Sequence, residues 1–310
     1  MAKLFAFLFL LTTTSVWGQQ LPWIPFHWEG GTLAGRHFDK AAITVPVTLG
    51  GLPHKFKMQL DLGALNTTVY GNAIAPYFAQ YPAFRAKLDT TRTFHIQNQK
   101  NPLLIGVRLR LGSVDFGPRD LGYFKGFGDQ LTTKTLTDKA EVHVGTIAPD
   151  LFQDRVLIID YPHQRLCVVD KVPAAYAQAS FQPFKVKDGR IKIPLRIDGQ
   201  TQDLMFDTGS SLFALLTTRP RAIASAGTEA VQDSIKTSSW GEYYYVYGRQ
   251  PKGAIYFGNK QLPSAFVFAD NLHKFDKLYE QEAVWGITGN AFFLHNTVII
   301  DYKNHVFGVQ

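Results

Sequence analysis

Apolar positions along this chain recur mostly with a period of two, and much less often with the 3.6-residue period of a helix. Residues 43–49 (Ile43-Thr44-Val45-Pro46-Val47-Thr48-Leu49) alternate and then meet Gly50-Gly51, as a half-buried strand running into a turn does. Residues 107–111 alternate in the same way and stop at Gly112-Ser113. The β-branched runs 156–161 and 298–302 have the length and composition of strands buried on both faces. Residues 243–247 form an aromatic strand ending at Gly248. Helical signals are short: 73–79, 150–155, 219–226 and 290–295. Closely spaced strands separated by turn signals predict an all-β protein of sandwich or barrel type with a few short helices.

The same pattern occurs twice. Ile24-Pro25-Phe26 is echoed by Gln182-Pro183-Phe184, and Ile43-Thr44-Val45-Pro46 by Ile191-Lys192-Ile193-Pro194. Leu49-Gly50-Gly51 matches Ile197-Asp198-Gly199, and Asp61-Leu62-Gly63 matches Asp207-Thr208-Gly209. Leu109–Gly112 matches Ile255–Gly258, and Val156–Tyr161 matches Thr297–Tyr302. The landmarks keep their order and lie mostly 141 to 148 residues apart. That period is too long for a solenoid and indicates two halves of one architecture. Residues 170–180, with Pro173 and several alanines, suit the connection between them.

Composition narrows the class. The chain has 310 residues, 45% hydrophobic and 18% charged, which suits a globular protein with a sizeable core. Residues 1–18 read as a secretory signal: Lys3, an apolar run over 4–11, then small residues up to Gly18. The run is too short to span a bilayer, so no transmembrane segment is expected, and the mature chain is expected in a periplasm or outside the cell. Cys167 is the single cysteine; within the apolar run around it, a packed, inert thiol is the expectation. The net charge of +7 is scattered without a basic run, so a nucleic-acid partner is not expected. The nine histidines show no metal-ligand spacing, and no metal or other cofactor is expected. Ser210 and Ser211 do not stand in a Gly-x-Ser-x-Gly elbow.

The repeated Asp-x-Gly turns are the candidate chemistry. Each follows an apolar strand: Phe56–Leu60 before Asp61, and Leu204–Phe206 before Asp207. Two carboxylates held face to face cannot ionise independently. They share one proton, so one can act as base while the other donates.

On these residues the chain resembles the pepsin-like and retropepsin-like aspartic peptidases, in a secreted two-lobed form. The resemblance rests on Phe206-Asp207-Thr208-Gly209-Ser210-Ser211, on Ile287-Thr288-Gly289 with Asn290 and Phe293, and on the closing strand 298–302. The first half contributes Leu60-Asp61-Leu62-Gly63, Asn66, Val69, Ile147, Asp150, Leu151 and residues 156–161. It implies an acid-protease fold of two homologous barrel-like lobes around a central cleft. Residues 19–181 would form the N-terminal lobe and 182–310 the C-terminal lobe. Carried over by position, Asp61 and Asp207 would be the catalytic pair. Gly63 and Gly209 would shape the turns, Thr208 would bond across to the other lobe, and Ser210 would support Asp207. The implied activity is hydrolysis of peptide bonds in a peptide or protein substrate, without a cofactor. With both lobes in one chain, a monomer is implied.

The first half departs from the family pattern at three places. Leu62 stands where the second half has Thr208, Ala64 where it has Ser210, and Ile147-Ala148-Pro149 where the family has a glycine. A flap hairpin is expected near 93–108, turning around 97–102. It holds no tyrosine, and His95 or Gln97 are the candidates for that place. These departures keep a second reading open, a binding module on the same fold that holds a peptide, glycan or protein without turnover. More local alternatives stand beside each residue. Asp207 could simply cap its own turn, and Asp61 could be a relic. Asp160 and Asp301 read as turn residues. The 243–247 run is either strand packing or a stacking platform.

Overall fold

The computed structural model describes residues 21–96, 99–131 and 141–310. The segment read as a secretory signal, residues 1–18, lies outside them. The chain is mostly β, in three sheets. One eight-stranded sheet is drawn entirely from the first half, from His27–Leu33 to Val142–Ile147. A further pairing of Arg36–Leu49 with Gln99–Leu111 curls it back on itself. A ten-stranded sheet is drawn entirely from the second half, from Lys185–Lys187 to Gly286–Thr288. The third sheet, of six strands, takes strands from both halves.

The six-stranded sheet shows how the repeat is built in. Its central pair is Val156–Asp160 against Thr297–Asp301, the two copies of one sequence landmark. They run antiparallel, with Val156 opposite Asp301, Asp160 opposite Thr297, and Ile158 opposite Ile299. That register relates the halves by a local two-fold. Period two explains the unbroken apolar runs. Leu157, Ile159, Val298 and Ile300 join the large core cluster, while Val156, Ile158, Ile299 and Cys167 pack on the other face. Burial pushes the Cys167 thiol up to about 11, so it is an inert packing group.

Each half repeats one local topology around its Asp-x-Gly turn. Phe56–Leu60 runs parallel to Val142–Ile147, which pairs antiparallel with Thr68–Tyr70. Gln200–Phe206 runs parallel to Gly286–Thr288, which pairs antiparallel with Leu215–Thr217. The helical signals at 73–79 and 219–226 fall in helices Gly71–Gln80 and Arg219–Ala226. Those at 150–155 and 290–295 shorten to single 3-10 turns, Pro149–Leu151 and Asn290–Phe292. Each is followed by one strand of the central pair of the six-stranded sheet, Val156–Asp160 or Thr297–Asp301. The expected hairpin is formed by Leu88–Ile96 and Gln99–Leu111. Gln97 lies outside the described residues.

Candidate active site

In each half the strand entering the turn makes one last ladder-like bond and then breaks. The Asp61 N–H donates to the Ile147 carbonyl at 2.9 Å, and the Asp207 N–H to the Thr288 carbonyl at 3.0 Å. The chain then folds back so that backbone donors face the carboxylates. Asp61 Oδ1 accepts the Gly63 and Ala64 N–H groups, both at 3.0 Å. Asp207 Oδ1 accepts the Gly209 N–H at 2.8 Å. Ser210 closes its turn through the backbone, donating its N–H to the Asp207 carbonyl at 3.1 Å, and also lines the cleft.

The two turns face each other. A Cβ placed on Gly63 would stand 2.6 Å from both carboxylate oxygens of Asp207. One placed on Gly209 would stand 2.8 Å from both of Asp61. Each glycine is therefore required by the opposite aspartate, since no side chain fits between. The two carboxyl groups are hydrogen-bonded to one another. They form part of the floor of a cleft of about 1230 Å³ lined by residues of both halves. Their outer edges reach the cleft, but protein surrounds them otherwise.

This enclosure sets the electrostatics. Burial pushes Asp61 well above the ordinary carboxylate range, reinforced by the charge of Asp207 and the bond to it. Burial raises Asp207 as well. It is opposed by the hydrogen bond from Asp61, the Gly209 N–H and the charge of Arg190. Singly ionised, the pair shares one proton between its two carboxyls.

Cross-links between the halves hold this geometry. The Thr208 hydroxyl, fully buried, donates to the Leu60 carbonyl at 2.8 Å and accepts the Leu62 N–H at 3.0 Å. Leu62 cannot return these bonds and is packed in the core instead. Arg190 makes a different link: its Nε donates to the Gly63 carbonyl at 2.7 Å, and Nη1 donates to the buried Glu282 at 3.0 Å. Behind the second turn, Asn290 donates to the Thr208 carbonyl (2.9 Å) and to the Ser211 hydroxyl (2.7 Å), and accepts the Tyr161 hydroxyl at 2.6 Å. Thr208→Val keeps the shape but leaves the Leu60 carbonyl and Leu62 N–H buried and unpaired. A stability loss of about 2 kcal/mol is expected from urea unfolding.

Arg190 and Glu282 escaped the reading of the sequence. Comparing the halves reveals shared residues, whereas Arg190 falls opposite Ala42 in the repeat register. A charged residue at the start of a strand opposite an alanine was the available signal. Asp160 and Asp301 are turn residues. Asp160 binds His163 and Arg165, and Asp301 accepts the Lys303 and Asn304 N–H groups. The 243–247 run alternates: Tyr244 is buried and lines the cleft, while Tyr243 and Tyr245 are exposed. His95 lines the cleft from the hairpin, and a tyrosine enters it from elsewhere, Tyr70 of strand Thr68–Tyr70. Among the described residues no group of three or more His, Cys, Asp or Glu could hold a metal ion, and no helix is long and apolar enough to cross a membrane. The chain matches no protein-family model, and no curated protein is significantly similar to it in sequence.

Proposed function

We propose that this chain is an aspartic endopeptidase with two homologous lobes, hydrolysing peptide bonds with a water activated between Asp61 and Asp207. The observation that carries the reading is the reciprocal seating of each carboxylate on the other turn's glycine. A pair of turns that only capped themselves would have no reason to approach so closely. The same two-fold relation in the central strand pair supports the acid-protease fold.

The chemistry follows from the shared proton, with Asp207, the carboxyl acted on by the Arg190 charge, as the base. Asp207, ionised, takes a proton from water as the water oxygen attacks the scissile carbonyl carbon. Asp61 gives its proton to the carbonyl oxygen, which yields a neutral tetrahedral diol. In collapse the C–N bond breaks, Asp207 returns its proton to the leaving nitrogen, and Asp61 recovers one from a diol hydroxyl. Both carboxyls end as they began. No metal and no covalent intermediate takes part.

The test is cleavage of mixed short peptides across pH 3–8, with and without pepstatin. A pepstatin-sensitive, bell-shaped profile is expected, with both limbs above the ordinary carboxylate value because both groups are raised. Specific peptide binding without turnover at any pH would favour the binding-module reading, to which Leu62 and Ala64 lend support as lost supports of the first turn.

A further inference from the structure

Apart from the floor, two contacts between the halves among the described residues border the cleft. The first is the hairpin of His27–Leu33 and Arg36–Leu49, whose Gly31, Leu33, Ala41 and Ala42 line the cleft. Its two-residue turn, Ala34-Gly35, has φ of 48° and 82°, as the tight primed hairpin turns require. Just beyond it, Arg36 Nη1 donates to both carboxylate oxygens of Asp233 in the other half, at 2.8 and 3.0 Å. Phe38 packs against the second half's own apolar cluster, which includes Ile235 and Tyr244.

The second contact is the tip of the hairpin formed by Asp233–Ser239 and Glu242–Arg249. Its turn, Trp240-Gly241, has φ of 51° and 87°. A positive φ is uncommon for tryptophan and persists only where the surroundings hold it. Here they do: the Trp240 ring packs on Phe124 at 5.9 Å and Phe127 at 5.7 Å, both in the first half. Strand Asp233–Ser239 is thus fastened to the opposite half at both ends, and its last three residues, Thr237, Ser238 and Ser239, line the cleft beside the Trp240 bridge.

We propose that these two bridges bound the cleft, so that it accepts a short extended peptide or the end of a longer chain rather than an internal stretch of a long polypeptide. The fastened strand has seven residues, about 23 Å when extended. A peptide lying alongside it has room for about as many residues, and a longer chain must pass beneath a bridge to continue. The Arg36–Asp233 pair is half exposed on the arginine side and holds weakly by itself. Phe38 and Trp240 are the apolar anchors. Turnover in this proposal rests on the peptidase reading, but the length rule applies to binding as well.

The experiment uses a seven-residue apolar peptide with a Phe-Phe centre, alone and placed at either end or in the middle of a flexible Gly/Ser chain of about 60 residues. For the wild-type chain, kcat/KM is expected to be similar for the free peptide and at least one terminal placement, and about tenfold lower for the central one. Arg36→Ala with Phe38→Ala, neither of which lines the cleft, should recover the central site and leave the free peptide within about twofold. Equal wild-type rates at all placements overturn the proposal, and that result needs no variant to fold. If nothing is cleaved, the peptidase reading fails separately, and fluorescence anisotropy of the same labelled series decides the length rule. Tighter binding of the short peptide supports it; equal affinities, or none, overturn it.

Discussion

Asp61→Asn is expected to lower kcat/KM by roughly 10³–10⁴-fold while leaving the fold intact and raising its stability at neutral pH. The amide has the shape of the protonated carboxyl and can keep the Gly63 and Ala64 N–H contacts through its oxygen. It cannot pass a proton to the substrate carbonyl and take one back, so the acid–base contribution is lost. The stability change follows from the sign of the shift. Asp61 is raised in the folded state, mainly by burial. Its folded form therefore holds a proton that the unfolded chain has already released, and stability falls as pH climbs from the unfolded carboxylate range through the raised value. Asparagine removes that penalty. Calorimetry should show a higher Tm than wild type at pH 7 and little difference at pH 3. Activity retained within about tenfold would show that Asp61 is a relic, whatever the stability result.

The repeat made much of this legible. Strand positions followed from period-two patterning, because nearly every strand buries at least one face. The pairing of Val156–Asp160 with Thr297–Asp301 could be anticipated only as a shared landmark; that the two copies bond to each other is a long-range fact. The candidate pair Asp61 and Asp207 came from the repeated Asp-x-Gly turn and the resemblance it carries. What the sequence hid is what differs between the halves. Arg190 and Trp240 act across the cleft on residues more than a hundred positions away, and no local pattern marks such contacts. The loss of a threonine at Leu62 was visible, but its replacement by a bond from a different strand was not.

That replacement makes Arg190→Met the second large effect: a stability loss of about 3 kcal/mol at pH 7, together with a shift of the acid limb of activity to higher pH. Arg190 is mostly buried and spans two partners, the Gly63 carbonyl at 2.7 Å and Glu282 at 3.0 Å. Lys192 also pairs with Glu282, at 3.3 Å. Arg190 and Lys192 thus both pair with Glu282, and the Arg190 charge also acts on the ionised Asp207. Removing the guanidinium leaves Asp207 with one opposing cation fewer, and its raised position rises further. The base then loses its charge at a higher pH, which moves the acid limb upward. The stability loss should grow as pH rises above the ordinary carboxylate range, since it is the ionised Asp207 that misses its partner. Urea unfolding at pH 3 and pH 7 separates this from a simple packing defect, which would cost the same at both. Arg190→Lys discriminates further. It keeps the charge, and so the acid limb, but a single ammonium cannot reproduce the fork that reaches both Gly63 and Glu282. Its kcat should fall with KM little changed, because the first turn loses the tie that stands in for a threonine at Leu62. An acid limb unmoved in Arg190→Met, with equal stability losses at the two pH values, would remove Arg190 from any role in holding the pair.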